Sequence, residues 1–153
     1  SLIIVILVSQ LLFFQKLYSH FFKPSGDPGL LTNQLKAVDW VYQKSAGLGF
    51  YVYSYLPSVY DYPYQYLFWW RATREYGYIP CEYSTFPNVP DFFVPGVKHY
   101  QGPQKPCTNL RFLIIEPDVN QNNRQVWLDQ VRKDTILLEE ASFGNIRVEK
   151  RQI

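Results

Sequence analysis

Methionine is absent from this sequence of 153 residues, and cysteine and histidine occur only twice each. A natural chain begins with methionine, whereas this one begins with Ser1, so we expect it to be a fragment of a longer protein. The cysteines form no CxxC motif and the two histidines have no ligand spacing, which excludes the usual zinc motifs. There is also no glycine-rich phosphate loop, no GxSxG motif and no Cys/His/Asn set. The sequence therefore predicts no metal, no cofactor and no catalytic residue in this part of the protein.

Charged residues are also scarce, at 18% of the chain, and the formal net charge is only +2. The few charges are scattered, so the sequence does not predict a nucleic-acid partner. Hydrophobic residues make up 47%, which is enough for a core, and aromatic residues make up 18%, which is high. A chain of this length predicts one domain with a short appendage.

The appendage is predicted at an uncharged apolar run, residues 2–14, which reads LIIVILVSQLLFF. As a helix this run would span roughly 20 Å, short of the ~30 Å hydrocarbon layer of a bilayer. We interpret residues 1–22 as the end of a transmembrane helix with an interfacial turn, because Lys16, Tyr18 and His20 suit the membrane interface. A buried core helix and a signal peptide are the alternatives. No basic region precedes the run and no small-residue cleavage site follows it, which disfavours a signal peptide.

The segment KPSGDPG at residues 23–29 predicts a linker, because its two prolines and two glycines favour a domain boundary. A domain is then predicted over residues 30–153. Its first helix is expected over residues 32–45, capped by Thr32 and ended by Gly47 and Gly49. The apolar run FYVYSYL at residues 50–56 predicts a strand covered on both faces, as in a parallel sheet.

The most distinctive feature is the aromatic segment at residues 60–70, YDYPYQYLFWW, in which seven of eleven residues are aromatic. So many rings cannot all be buried by one face of one element. The alternation of the tyrosines favours a strand, but Pro63 would remove a ladder hydrogen bond. We therefore predict a helix over residues 62–76 that is capped by Asp61 and ended by Gly77.

Aromatic rings with a polar rim suit sugars and lipid headgroups, and arginine suits phosphate. The alternative is a core helix that is unusually aromatic and carries two surface arginines. The candidate residues for substrate or membrane contact are Tyr60, Asp61, Tyr62, Tyr64, Trp69, Trp70, Arg71 and Arg74.

A proline-rich loop is predicted over residues 78–107, where six prolines exclude a helix or a central strand. Its aromatic residues indicate that at least part of it is packed. Cys81 and Cys107 bracket the loop. They could form a disulfide, which would stabilise the fold by roughly 3–4 kcal/mol, or they could be two unrelated thiols.

The C-terminal part predicts a strand over residues 110–116, a helix over residues 123–134 and a hairpin around residues 144–145. We expect Arg147 and Glu149 to point outward on the hairpin. Glu116 and Asp118 follow a strand, where ligand sites of α/β proteins gather, although a solvated loop or a helix cap explains them more simply. The predicted fold class is α/β, with a small three- or four-stranded mixed sheet, packed helices and a C-terminal β-hairpin.

Several motifs together resemble a known family. They are VYDYPYQYLFWW and YGYIP, followed by LRFLIIEPD and GNIRVEKR near the end of the chain. They are similar to the C-terminal extracytoplasmic region of bacterial polytopic glycosyltransferases like the dolichyl-phosphate-mannose–protein mannosyltransferases (glycosyltransferase family 39). The resemblance covers most of the chain. It carries no catalytic motif.

The resemblance implies a membrane enzyme of the GT-C type, which transfers a sugar from a polyprenyl-phosphate carrier to an acceptor. Its catalytic acid is expected in an early loop upstream, so no residue here inherits that role. The chain would be the non-catalytic C-terminal module, extracytoplasmic from about residue 23 onward. Its partners would be the membrane, the rest of the polytopic chain and a glycan, lipid or protein acceptor. The alternative is a membrane-anchored carbohydrate- or partner-binding protein without enzymatic activity.

Overall fold

The computed structural model describes residues 2–22, 26–57, 62–88 and 100–153, without the side chains of residues 2, 3, 5 and 19–22. These residues form an α/β fold in which a mixed five-stranded sheet carries helices on both faces. The helices are α1 (Leu2–Phe22), α2 (Leu31–Ser45), α3 (Tyr62–Arg71) and α4 (Gln121–Arg132). The strands are β1 (Gly49–Tyr55), β2 (Glu82–Ser84), β3 (Cys107–Ile115), β4 (Ile136–Phe143) and β5 (Ile146–Gln152).

The strand order is β2-β1-β3-β5-β4. β1 pairs in parallel with both β2 and β3, whereas β5 pairs antiparallel with β3 and with β4. The predicted α/β class and the C-terminal hairpin are confirmed. The predicted strand count is too low, because β2 lies inside the proline-rich loop. With three residues, β2 is too short to show a periodic pattern. It contains no proline and pairs with one neighbour at the edge of the sheet, so the prolines around it do not exclude it.

Side-chain alternation along β1 divides the core into two clusters. Phe50 and Val52 pack with α2 and α3 on one face, whereas Tyr53 and Tyr55 pack with α4 on the other. The parallel, doubly covered strand predicted from this apolar run is therefore confirmed. The predicted inward side of α4 is also confirmed, since its buried residues are Trp127, Leu128 and Val131.

The helix α2 begins without the predicted cap. Leu30 occupies the N-cap position and makes no side-chain capping hydrogen bond, and Thr32 is exposed. The turn before the helix is closed by Asp27 instead. Its carbonyl oxygen accepts hydrogen bonds from the Leu30 N–H at 3.3 Å and from the Asn33 side-chain amide at 2.9 Å. The prediction that Thr32 caps this helix is therefore wrong.

The helix α3 begins at Tyr62 and continues into a π-helical turn, Ala72–Tyr76. Gly77 ends it as predicted, with a left-handed φ of 78° and its N–H bonded to the carbonyl of Ala72 at 2.7 Å. The predicted helix over residues 62–76 is thus present, with its last turn widened. Tyr60 and the proposed cap Asp61 lie outside the described residues.

The predicted outward orientation of Glu149 on β5 is wrong. Its side chain is fully buried and is bonded by Arg132 of α4 and by Arg151. The cause is the set of arginine side chains that surround Glu149 on the face that the local alternation assigns to solvent, namely Arg132 from the end of α4 with Arg147 and Arg151 of β5. Arg147, on the same face, is exposed as predicted.

Cys81 and Cys107 form a disulfide, with their Cα atoms 6.0 Å apart. Cys81 immediately precedes β2 and Cys107 begins β3, so the bond joins the two strands that flank β1. Residues 89–99 of the predicted proline-rich loop lie outside the described residues. The return segment, which we define as residues 100–106, packs on the chain before β2, where the Ile79 N–H donates to the carbonyl of Pro103 at 2.8 Å.

The apolar helix α1 exposes its side chains at residues 6–18. Among the residues that the structure describes, no helix is long and apolar enough to cross a membrane. The middle of the predicted linker contacts the domain, since the N–H of Asn145 donates to the carbonyl of Gly26 at 2.9 Å. The division into residues 1–22, 23–29 and 30–153 stays a prediction.

Candidate ligand-binding surface

The helical period of α3 divides the aromatic segment between core and surface. Tyr64, Leu67 and Phe68 are buried in the cluster shared with α2 and β1. Tyr62 and Tyr66 lie on the opposite side of the helix, where their exposed fractions are 42% and 43%. The predicted division of the rings is therefore present, but the candidate residue Tyr64 belongs to the core.

Tyr66, Trp69 and Tyr100 form one contiguous aromatic surface. The ring centroids of Trp69 and Tyr100 are 5.4 Å apart, and each of these rings is 6.0 Å from that of Tyr66. Such separations mean direct ring contact. The rings therefore leave no space for a cation between them, and a ligand would meet their outer faces. Tyr66 is exposed, whereas Trp69 and Tyr100 are half-buried.

Tyr100 reaches this surface from the return segment, far from α3 in the sequence. Its carbonyl oxygen accepts a hydrogen bond from the hydroxyl of Tyr83 on β2. A tyrosine hydroxyl is protonated at neutral pH and can donate, and burial raises the pKa of Tyr83 further, to about 12. Tyr100 was not among the predicted site residues. The only signal in the sequence was the aromatic content of its loop, which does not say which helix the ring will meet.

Arg71, predicted to bind phosphate, is paired within the domain. Its Nε and Nη2 atoms donate to the carboxylate of Asp39 on α2 at 2.7 and 2.8 Å. The hydroxyl of Tyr76 donates to the same carboxylate at 3.0 Å. The hydrogen bond with Asp39 raises the pKa of Arg71. The Arg71 guanidinium also lies 5.7 Å from the ring centroid of the half-buried Trp70, whereas Arg74 is exposed.

Glu116 and Asp118 are both bonded by tyrosines beyond the end of β3. The Tyr64 hydroxyl donates to Glu116 at 2.8 Å, and the Tyr55 hydroxyl donates to Asp118 at 2.5 Å. Burial raises the pKa of Glu116, while the bond from Tyr55 lowers the pKa of Asp118. The solvated loop expected for Glu116 is wrong, because it is only 6% exposed. These tyrosine bonds give both carboxylates a structural role at the strand ends.

Within residues 2–22, 26–57, 62–88 and 100–153, no group of three or more His, Cys, Asp or Glu side chains could hold a metal ion. The chain matches no protein-family model, no curated protein and no solved structure.

Proposed function

We propose that this chain is the non-catalytic C-terminal module of a membrane glycosyltransferase and that its aromatic surface docks a glycan acceptor. The observation that carries the proposal is the mutual contact of Tyr66, Trp69 and Tyr100 at the surface. Contiguous apolar patches that stay exposed commonly mark interaction sites. Tyrosine and tryptophan combine a flat apolar face, which suits a sugar ring, with a polar group that can bond a hydroxyl.

Two further features support a position beside the membrane on its extracytoplasmic side. The side chains of α1 are apolar and exposed over most of residues 6–18, which suits a lipid environment. The Cys81–Cys107 disulfide suits an oxidising compartment, where such bonds persist. In this proposal α1 is the end of a transmembrane helix, and the domain stands above the bilayer next to the rest of the parent chain.

The pairing of Arg71 with Asp39 leaves one of the two candidate arginines less able to bind a donor phosphate. Its guanidinium already makes a bidentate hydrogen bond within the domain, whereas Arg74 is exposed. In this proposal the donor binds the upstream, membrane-embedded part of the parent, and the acceptor binds the aromatic surface of this domain.

A membrane-anchored carbohydrate-binding protein without enzymatic activity is the second candidate, and the same surface supports it. The complete reading frame separates the two. Further hydrophobic spans with an early acidic loop would support the glycosyltransferase, whereas a single anchor would support the binding protein.

The binding test uses the whole chain in lipid nanodiscs, because detergents with sugar headgroups would compete for the surface. Calorimetric titration would measure affinity for neutral oligosaccharides of mannose, glucose, galactose and N-acetylglucosamine. We expect Trp69→Ala to weaken binding by about tenfold or more, because an aromatic contact with its buried area contributes about 1.4 kcal/mol or more.

Trp40→Ala is the matched control. Trp40 is also a half-buried tryptophan, but it lies on α2 and packs edge-on against Phe112 of β3, 6.1 Å between centroids. Its replacement should leave the affinity within about twofold of wild type. The proposal fails if wild type binds none of the oligosaccharides. It also fails if the two substitutions weaken binding equally.

A further inference from the structure

We propose that the Cys81–Cys107 disulfide controls glycan binding, and that its reduction by a protein dithiol releases Tyr100 from the aromatic surface. The inference rests on the proposed function, because it concerns the same aromatic surface, and it adds a redox dependence. Trp69 and Tyr66 belong to α3, whose buried residues lie in the core. Tyr100 packs against the same cluster but is carried by the return segment, so it is the member of the surface that can be withdrawn.

The return segment that carries Tyr100 is held by few non-covalent bonds. They are the Ile79–Pro103 backbone bond at 2.8 Å, bonds of 3.0 and 3.2 Å from the Gln104 side chain to the carbonyls of Pro80 and Cys81, and the bond from the Tyr83 hydroxyl to the Tyr100 carbonyl. The Tyr100 ring also packs against the core cluster of α2, α3 and β1. Residues 101–106 are all exposed, and two of them are prolines, which donate no backbone hydrogen bond. Exposed backbone with few bonds belongs to the least stable part of a fold.

The disulfide links the end of the return segment, at Cys107, to Cys81 before β2. Neither cysteine belongs to either core cluster. The Cys81 N–H donates to the carbonyl of Phe50 at 2.8 Å, and Cys107 is in register with Gly49 of β1. Both cysteine backbones therefore remain joined to the central strand when the sulfurs separate. Reduction should loosen the return segment and leave the sheet intact.

The sulfur atoms are accessible to a partner thiol, since Cys107 is exposed and Cys81 is half-buried. A thiolate of the dithiol attacks one sulfur and forms a mixed disulfide, and its second thiolate then displaces the remaining cysteine. The domain gains two electrons and two protons as two thiols, and the partner leaves as a disulfide. Accessible disulfides are the ones that such partners reduce.

The experiment compares glycan affinity in nanodiscs for the oxidised chain, the chain reduced with dithiothreitol, and the double variant Cys81→Ser with Cys107→Ser. We expect about threefold to tenfold weaker binding without the disulfide, as when only a minor share of molecules keeps Tyr100 in place. Tyr100→Ala should weaken binding at least as much. Removing the disulfide from Tyr100→Ala should then have no additional effect, because both changes act on one ring.

A readout that needs no ligand is the nuclear Overhauser effect between the Trp69 and Tyr100 rings. It should weaken on reduction, while the far-ultraviolet circular dichroism, which reports the helices and the sheet, stays unchanged. The inference is overturned if the oxidised chain binds glycan and the reduced chain binds within twofold of it. It is equally overturned if the ring contact persists, if disulfide loss weakens Tyr100→Ala further, or if reduction unfolds the sheet. Absence of glycan binding by the oxidised chain would instead overturn the proposed function itself, and this inference with it.

Discussion

Glu149→Gln should destabilise the domain far more than Glu140→Gln, although both carboxylates bond the same arginine. Arg147 lies 2.7 Å from Glu140 and 2.9 Å from Glu149. Glu149 is fully buried and is also bonded by Arg132 and Arg151, whereas the side chain of Glu140 is 53% exposed. The comparison therefore separates the effect of burial from the effect of the shared partner.

The expected loss of unfolding free energy depends on which charges each substitution leaves without a partner. Without the charge of Glu149, the guanidinium groups of Arg151 and Arg132, whose side chains are 10% and 29% exposed, lose their counter-charge. Breaking a buried ion pair from one side costs about 3–5 kcal/mol. We expect the lower end, about 3 kcal/mol, because water reaches part of Arg132. An exposed pair such as Arg147–Glu140 contributes about 0.2–1 kcal/mol.

Urea unfolding of the two variants, with the disulfide intact and at neutral pH, measures the difference in their unfolding free energies. In thermal unfolding, the melting temperature of Glu149→Gln should fall by roughly 6–12 °C. High salt should remove most of the effect of Glu140→Gln but little of the effect of Glu149→Gln, because buried pairs are weakly screened. If the two variants differ by less than about 0.5 kcal/mol, the account of this buried network is wrong.

Two other predictions concern packing and protonation. Gly49→Ala should destabilise the domain by about 1–3 kcal/mol in chemical unfolding, because the added Cβ would lie 2.5 Å from the backbone oxygen of Pro106. Gly29→Ala is the control, because the nearest neighbour of its added Cβ is a side-chain atom of Asp27 at 3.3 Å. Its unfolding free energy should differ little from that of wild type. Glu116 has a raised pKa in the folded state, so its contribution to stability is present below the ordinary pKa of 4.5 and is lost as pH rises through the folded value. The unfolding free energy of wild type relative to Glu116→Gln should therefore fall as pH rises from 4 to 8, and a constant or rising difference would contradict the assignment.

Local sequence signals predicted the regular elements because the relevant interactions lie within a few residues. The apolar run of β1 predicted a strand covered on both faces, and Gly77 marked the end of the helical segment at a left-handed φ. The predicted hairpin turn lies between β4 and β5, where Gly144 has a φ of 59°. The strand β2 could not be predicted, because a run of three residues is too short to show a periodic pattern.

The site was only partly predictable for the same reason. The spacing of Tyr62, Tyr66 and Trp69 placed them on one side of a helix, and the structure leaves that side at the surface. Their partner Tyr100 could not be predicted, because its position depends on how a long loop returns to the sheet. The sequence also suggested that Arg71 could bind a phosphate. Its hydrogen bonds to Asp39 depend on the packing of α2 beside α3, which the sequence did not predict.

The sequence by itself determined the α/β class, the surplus of aromatic rings and the two cysteines that bracket the proline-rich loop. These properties follow from composition, periodicity and turn residues. Only the tertiary structure decided that the cysteines are bonded, that Glu149 is buried and that Tyr100 completes the surface with Tyr66 and Trp69. Each of these facts depends on contacts between distant segments, which form when the core closes and which no local pattern encodes.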